Sequence, residues 1–293
     1  MIYSVGEILA DMVGDKKDGK LTFGAFCGGA PFNVAVNAKQ AGAKAGFLGR
    51  VGKDPVGRFL AAEAEKAGLD RLDIQTDDER NTTLAFVTLT EGERDFAFYR
   101  HDTADYHIDT SALDFSSVRD LNTVHIGSLM LSEDAGRAVA ADVYNKARAA
   151  GKTVSFDVNF RMDIYKDFTE AVKACEPYVN GADIVKFSDD EIKAYTGTDD
   201  VTGALKRVCR EGAIILVTLG SRGSMYYYNG KSGTVPTEKV KPVDTTGAGD
   251  AFFGTFLAVM DGAAWNTENI ENALIKANKA GAAATQFKGA IKL

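Results

Sequence analysis

Residues 244–254, DTTGAGDAFFG, combine carboxylates with a run of small residues. Gly247, Ala248 and Gly249 would let three successive backbone N–H groups converge on an anion, and the helix-like run after them adds the positive end of a helix dipole. Asp250 falls at the start of that helix, aimed where a hydroxyl would meet a phosphoryl group. By itself the pattern indicates an anion site with a candidate catalytic base. The alternative is an Asp that only caps or charges a helix start.

Composition and charge exclude several classes of protein. Hydrophobic residues make up 45% of the chain and charged residues 26%, which is ordinary for a soluble globular enzyme. The net charge of −7 and the lack of a long basic run argue against nucleic acid as a partner. Cys27, Cys175 and Cys209 lie far apart and form neither a disulfide framework nor a C-x-x-C knuckle. With no secretory signal or membrane-spanning run, a cytoplasmic location is expected.

The elements that must position these residues follow from the alternation of short apolar runs with helix-like stretches. This alternation is typical of βαβ units and predicts an α/β fold, with a mostly parallel sheet between two layers of helices. Strands are predicted over residues 2–5, 45–48, 123–126, 153–157, 184–187 and 214–218. Helices are predicted over residues 33–41, 57–67, 134–150, 169–179, 201–210, 251–260 and 270–286.

Two stretches depart from the alternation, residues 11–26 and residues 82–100. Each has two strand-like arms around a Gly-containing turn, which predicts a hairpin. Together the hairpins would form a small β-lid, over about residues 11–26 and 82–104, on one domain that spans residues 1–293. Its exposed strand faces would also suit pairing with a second copy, so a homodimer is expected.

Two segments at opposite ends of the chain carry a resemblance to a known family. Residues 28–35 (GGAPFNVA) and residues 244–254 resemble the two signatures of the ribokinase-like carbohydrate kinases, the PfkB family. Residues 6–11, 49–57 and 218–223 continue the similarity over almost the whole length. The resemblance implies a three-layer α/β/α ribokinase-like core with a β-lid, and an ATP- and Mg²⁺-dependent kinase.

On the sugar side, the resemblance implies that Asp11, Gly28, Gly29 and Asn33 bind sugar hydroxyls. A carboxylate, an amide and closely approaching glycine backbone suit that role. The alternative for the two glycines is a tight turn into the helix that begins near Asn33. Both interpretations are compatible.

On the nucleotide side, Thr218, Gly220 and Gly223 match the family's nucleotide-binding turn, and Asn278 matches a position that lines the adenine pocket. Residues 186–191 (KFSDDE) resemble a stretch in which Lys186 approaches the phosphates and Glu191 helps to hold the water shell of magnesium. Without the resemblance, these two residues would be a solvated charge pair at a helix start.

A monovalent cation is a further implication of the resemblance. Asp244 and Thr246 correspond to positions that in many relatives help to enclose potassium beside the anion site, together with backbone carbonyls near the C-terminus. The chain ends GAIKL, with a shorter tail than many relatives carry.

Residues 96–100 (FAFYR) and 157–161 (DVNFR) are similar to fructokinase features. By this similarity Phe98, Arg100, Asn159 and Arg161 would form an aromatic wall and polar clamps over the sugar. The alternative is that Phe98 is one face of a lid strand and Arg161 a surface loop residue. Val158 stands where many relatives have Pro, beside the clamps.

The sequence thus predicts an ATP-dependent sugar kinase that phosphorylates a primary hydroxyl, with fructose as the favoured acceptor and Asp250 as the base. Two alternatives stay open. One is a kinase of another sugar or nucleoside, such as ribose, 2-keto-3-deoxygluconate or aminoimidazole riboside. The other is a catalytically silent sugar-binding regulator, against which the intact Asp250 and glycine run argue.

Overall fold

Two β-sheets organise the protein in the computed structural model, which describes residues 1–17, 19–90 and 93–293, without the side chains of residues 15–17, 88–90 and 93–96. The strands are β1 (Ile2–Val5), β2 (Leu9–Lys17), β3 (Lys20–Gly28), β4 (Ala45–Gly52), β5 (Arg71–Asp77), β6 (Leu84–Thr90), β7 (Glu93–Tyr99), β8 (Thr123–Gly127), β9 (Thr153–Asp157), β10 (Ile184–Ser188), β11 (Ile214–Thr218), β12 (Ser224–Tyr228) and β13 (Lys231–Val235). The helices are α1 (Ala30–Gln40), α2 (Pro55–Lys66), α3 (Asp134–Ala149), α4 (Phe168–Gly181), α5 (Asp189–Thr196), α6 (Val201–Val208), α7 (Ala248–Met260) and α8 (Thr267–Ala284).

The large sheet has the strand order β13-β12-β11-β10-β9-β8-β1-β4-β5. Neighbours from β5 to β11 are parallel, and β12 and β13 continue it as an antiparallel hairpin. Residues alternate between its two faces: Ile215 and Val217 of β11 join one apolar cluster, and Ile214 and Leu216 join the other. Helices cover both faces, so the predicted three-layer α/β/α core is confirmed.

The small sheet, called the lid sheet below, has the order β3-β2-β6-β7. Its two antiparallel hairpins, β2–β3 and β6–β7, are joined by parallel pairing of β2 with β6. Both predicted hairpins are therefore present, although residue 18 and the predicted turn residues 91–92 lie outside the described part of the chain. Asp11, Ala85 and Phe98 are register partners across three of these strands, so their side chains lie on one face.

All predicted strands and helices form, with shifts of a few residues at their ends. Helix α1 begins at Ala30, before the predicted start, because Pro31 occupies its first turn, where a missing N–H costs nothing. Strands β5, β12 and β13 and helix α5 were not predicted. Strand β5 has several charged residues and lies at the edge of the large sheet, so it lacks the apolar run of a central strand.

Helices α1 and α7 pack closely, which brings the two signature segments together. A Cβ atom at Gly254 would lie 2.5 Å from the carbonyl oxygen of Val34, so only glycine permits this approach. The carboxyl ends of the parallel strands open towards the same region, which is where ligands bind in open α/β sheets. Among the helices of the described residues, none has the length and hydropathy needed to cross a bilayer.

Candidate active site

Two cavities meet at the loop that leads into α7. The first, here called the lid-side cavity, has a volume of about 530 Å³ and is lined by residues that include Asp11, Asn33, Phe98, Arg161 and Asp250. The second, here called the α8-side cleft, has a volume of about 570 Å³ and is lined by residues that include Thr218, Gly223 and Asn278. Thr245 and Gly249 line both. The loop is thus a shared wall, and a group bound on it is accessible from both sides.

Asp250 lies in the first turn of α7, on the lid-side face of that wall. Its Oδ2 accepts a hydrogen bond of 2.8 Å from Nδ2 of Asn33 in α1, 217 residues away. Burial raises the pKa of Asp250, and the Asn33 amide, Lys186 and Arg161 oppose that rise. The carboxylate is therefore held in one orientation at the bottom of the cavity by a neutral donor, which leaves its other oxygen for a ligand.

The start of α7 supplies the anion-binding groups. Gly247 adopts the left-handed conformation at the N-cap, and a Cβ atom there would lie 2.4 Å from the carbonyl oxygen of Ala290. First-turn N–H groups have no acceptor within their own helix. One of the predicted donors is used locally, because the N–H of Ala248 donates to Thr245 O at 3.3 Å. The N–H groups of Gly249 and Asp250 also belong to this first turn.

Lys186 is almost fully buried beneath the glycine run. Its Nζ donates to both carboxylate oxygens of Asp157, at 2.8 Å each, and a Cβ atom at Gly249 would lie 3.3 Å from that Nζ. Burial alone would lower the pKa of Lys186, but Asp157, Glu191 and Asp250 raise it. The site thus holds a fixed ammonium group directly below the anion-binding helix start, paired with one carboxylate.

The first signature shapes the other wall of the lid-side cavity. Burial and the nearby carboxylate of Asp250 raise the pKa of Asp11 to about 7, against the opposing charge of Arg161. Gly28 does not line the cavity; a Cβ atom on it would lie 2.3 Å from Oδ2 of Asp11, so its role is to leave room for that carboxylate. Gly29 does line it, with a φ of 112°, and a Cβ there would lie 2.5 Å from Glu7 O.

Three of the four predicted clamp residues line the same cavity. Phe98 reaches it from β7, while Asn159 and Arg161 reach it from the loop after β9. Asn159 has a φ of 30°, a conformation that is uncommon for non-glycine residues but easier for Asn than for most. Arg161 is exposed in that loop, so its guanidinium is available to a ligand.

Arg100, the fourth predicted clamp residue, does not line the lid-side cavity. Its side chain is fully buried, pairs with Asp105, and donates through Nη1 to Leu129 O at 2.6 Å. It also stacks over the ring of Tyr106, at 4.1 Å. Because β7 ends at Tyr99, Arg100 points into the base of the lid sheet rather than into the cavity.

The α8-side cleft contains the predicted nucleotide-site residues Thr218, Gly220, Gly223 and Asn278. Gly223 has a φ of 97°, and a Cβ there would lie 2.1 Å from Val235 O. Asn278 on α8 donates to that same carbonyl at 2.9 Å. A turn, a strand end and a helix are thereby fixed against one another around a pocket of small side chains.

Of the residues predicted to hold metal ions, Thr246 lines the lid-side cavity, and Asp244 and Glu191 line neither cavity. Oδ1 of Asp244 accepts hydrogen bonds from Thr246 N and Oγ1, at 2.9 and 2.7 Å, and its Oδ2 accepts one from Gly289 N at 3.2 Å. Glu191 forms a capping box with Ser188 at the start of α5. In the part of the chain that the structure describes, no group of three acidic, His or Cys side chains could hold a metal by itself.

The model of the pfkB family of carbohydrate kinases matches residues 1–293, the whole chain. The protein belongs to this family. It is, as the sequence predicted, an ATP-dependent sugar kinase of ribokinase-like fold. A relative from Arabidopsis thaliana, "Probable fructokinase-5", is 36% identical over 303 residues, which cover 99% of this chain and 93% of that protein.

Solved structures that are similar to this PfkB kinase are also kinases of sugars or ribosides. Fructokinase from Vibrio cholerae O395, in its fructose, ADP and calcium ion bound form, is 31% identical with a TM-score of 0.87, covering 99% of this chain and 94% of that one. A double mutant of that enzyme in a potassium ion bound form is 30% identical, also at 0.87, covering 99% and 93%. Aminoimidazole riboside kinase from Salmonella enterica, with aminoimidazole riboside and an ATP analog, is 26% identical with a TM-score of 0.83, covering 99% and 94%.

Sequence reasoning missed several residues of the PfkB kinase site. Asp157 was noted only as part of the 157–161 segment, although it is the buried partner of Lys186. Leu129 and Asp163 line the lid-side cavity and were not singled out, because each lies in a short 3₁₀ turn without a motif. Residues 237–240, in the α8-side cleft, belong to an irregular segment that offers no periodic signal.

Proposed function

We propose that this PfkB kinase is a fructokinase in which Asp250 removes the proton from a primary hydroxyl of fructose as that hydroxyl attacks the γ-phosphorus of ATP. One observation carries the proposal: the two cavities share the wall at Thr245 and Gly249, and Asp250 stands on the lid side of it. An acceptor in one cavity and a nucleotide in the other would therefore meet at the start of α7. The fructokinase relatives support fructose as the acceptor.

The neighbouring groups define how the transfer would proceed. Asn33 holds the Asp250 carboxylate in place, so that one oxygen faces the hydroxyl. The N–H groups at the start of α7 stabilise negative charge that spreads over the transferring phosphoryl group. Lys186, kept protonated by its carboxylate neighbours, adds a positive charge below them. General-base assistance of this kind contributes on the order of 10²- to 10⁴-fold in rate.

ATP would occupy the α8-side cleft, with its base towards Asn278 and its phosphates along Gly247–Gly249. Mg²⁺ fits the acidic groups around Lys186, because this ion is usually bound through one or two carboxylates, water and the phosphates of a substrate. Glu191 would act through that water shell. Magnesium would neutralise phosphate charge during transfer.

A potassium ion would bind beside the same loop, held by oxygens of Asp244 and Thr246 and by backbone carbonyls near Ala290. The Asp244 contact to Gly289 N supports this placement, because it ties the loop to the C-terminal segment. Activity measured with potassium chloride should then exceed activity with choline chloride at equal ionic strength. Equal rates in the two salts would remove the cation from the proposal.

The sugar is tested with a panel of acceptors at saturating ATP. Fructose should give the highest kcat/KM among fructose, ribose, 2-keto-3-deoxygluconate and nucleosides including aminoimidazole riboside. A nucleoside that wins by a wide margin would instead make this a riboside kinase, the candidate favoured by the Salmonella enterica likeness. No release of ADP with any acceptor would revive the silent regulator.

The kinase would work as a single domain whose lid sheet closes over the sugar and excludes water, which suppresses hydrolysis of ATP.

The lid sheet also exposes apolar side chains, among them Leu21 (56% exposed), Phe23 (36%) and Phe26 (42%). A homodimer formed through these lid surfaces would cover them. The dimer is tested by sedimentation of wild type and Leu21→Ser.

We place the enzyme in the reducing cytoplasm, in line with three free cysteines.

A further inference from the structure

The lid sheet is joined to the core through the four ends of its two hairpins. For the first hairpin, β2–β3, these ends are tied by Glu7, which precedes β2, and Ala30, which follows β3. Oε1 of Glu7 accepts a hydrogen bond of 3.2 Å from the N–H of Ala30. Glu7 is completely buried, and its Oε2 has no partner within the described residues. A single buried carboxylate thus closes the base of the first hairpin.

The second hairpin, β6–β7, is closed in the same way by a different carboxylate. Thr83 precedes β6 and donates from Oγ1 to Asp105 Oδ1 at 2.6 Å. Arg100 follows β7 and donates from Nε to Asp105 Oδ2 at 3.0 Å. Asp105 is 1% exposed, so this tie is shielded from water. Both ends of the hairpin are therefore held by one side chain of the core.

Arg100 connects these two ties to the wall of the lid-side cavity. Its charge lies close enough to Glu7 to lower the pKa of that carboxyl, which burial raises to about 7. Through Nη1 it also binds Leu129 O. Leu129 packs with Leu9 of β2 and Ala85 of β6 in a small apolar cluster under the lid sheet. One guanidinium thus binds the carboxylate that ties the second hairpin, acts electrostatically on the carboxyl of the first, and binds the carbonyl of Leu129 between them.

We propose that Glu7, Arg100 and Asp105 are positioning residues, a buried charge network that fixes the bases of both lid hairpins and so sets Asp11 and Phe98 opposite Asp250. The inference rests on the proposed function, because it assigns the network to sugar binding. Asp11 lies in β2 and Phe98 in β7, and they lie on one face only while both hairpins keep their orientation. None of the three residues needs to touch the sugar.

The network makes a specific kinetic prediction. Asp105→Asn and Arg100→Lys should each raise the KM for the sugar at least tenfold, while kcat at saturating sugar changes less than threefold. The KM for ATP, measured at saturating sugar, should stay within twofold. Arg100→Lys keeps a positive charge between two buried carboxylates, so it protects folding, but an ammonium cannot hold Asp105 and Leu129 O in the planar geometry of a guanidinium.

A surface ion pair offers a matched control. Arg80 Nε lies 3.0 Å from Asp102 Oδ1 and joins the same two chain segments, but with 28% and 57% of these side chains exposed. Asp102→Asn should leave both KM values within twofold, since exposed pairs contribute little and the variant leaves the contact of Arg80 with buried Asp77 in place. Hydrogen exchange provides a second measurement: Asp105→Asn should speed exchange in β2 and β6, and Asp102→Asn should not.

The sugar used is the one that wild type phosphorylates best, so an error about fructose does not affect the result. A wild type that phosphorylates nothing would contradict the proposed function, and the exchange rates would still test the network. An unchanged sugar KM in folded Asp105→Asn and Arg100→Lys would overturn the inference. So would a fall in kcat with both KM values unchanged, because that result means a loss of active protein rather than of sugar positioning.

Discussion

The lid-side cavity and the α8-side cleft share a wall but differ in the groups that line them. The first contains the carboxylates of Asp11, Asp163 and Asp250 and the cations of Arg161 and Lys186. The second is lined largely by small side chains of glycine, alanine and threonine, with Glu238 and Lys239 as its charged lining residues. In the proposed mechanism, charged side chains would therefore act on the acceptor, whose hydroxyl must lose a proton, while the nucleotide would be held mainly by small side chains and N–H groups. Substitutions on the two sides should thus produce separable kinetic effects.

The largest effect is expected for Asp250→Asn. The amide cannot accept the hydroxyl proton, so kcat should fall by about 10²- to 10⁴-fold, while the Kd for the sugar, measured by calorimetry, changes only a few-fold. Asp134→Asn is the control, because Asp134 is also a first-turn carboxylate but is 97% exposed. A variant that keeps near-normal turnover at saturating substrates would falsify the role of Asp250 as the base.

A smaller effect, with a pH signature, is expected for Asp11→Asn. Burial raises the pKa of Asp11 to about 7, and a carboxylate accepts sugar hydroxyls better than the neutral acid. The wild-type KM for the sugar should therefore fall as pH rises from about 6 to 8. Asp11→Asn should raise this KM roughly tenfold and flatten its pH profile. The same slope in variant and wild type would assign the titration to another group.

Asn278→Ala should affect only the α8-side cleft. It removes the hydrogen bond that fixes Val235 O beside the Gly223 turn. The KM for ATP should rise several-fold, which corresponds to the loss of about one hydrogen bond, and the KM for the sugar should not change. Asn269→Ala on the same helix, an exposed residue, is the control. A rise in both KM values would mean that the two cavities are not separable.

The smallest effect is on stability. Burial raises the pKa of Glu7 to about 7 from its ordinary value of 4.5, so the folded state holds a proton that the unfolded state has released. The free energy of unfolding should therefore fall as pH rises from 4.5 to about 7, because the folded state keeps Glu7 protonated over this range. Glu7→Gln should reduce that decline, with a Tm at pH 8 about 2–5 °C above wild type. An unaltered dependence of Tm on pH would contradict the prediction.

Much of the fold could be predicted because its signals are local. The apolar runs gave six strands of the large sheet, and Gly-containing turns between polar arms gave both hairpins. The strands that were missed are edge strands or belong to an edge hairpin, where polar residues replace the apolar run. Helix α5 has only one buried apolar residue, Ile192, and so shows no apolar face in the sequence, whereas α6, of the same length, has three buried residues.

The sequence by itself determined the chemistry of the site: a glycine run at a helix start, a carboxylate in its first turn, and two family signatures. The anion-binding properties of the helix start depend only on neighbouring residues, because free N–H groups and a helix dipole arise wherever such a segment forms. The tertiary structure decided which side chains these groups pair with. Asn33 meets Asp250 across 217 residues, and Arg100 is buried away from the lid-side cavity, where it pairs with Asp105. Such pairings depend on which groups are buried together, and burial is a property of the packed molecule.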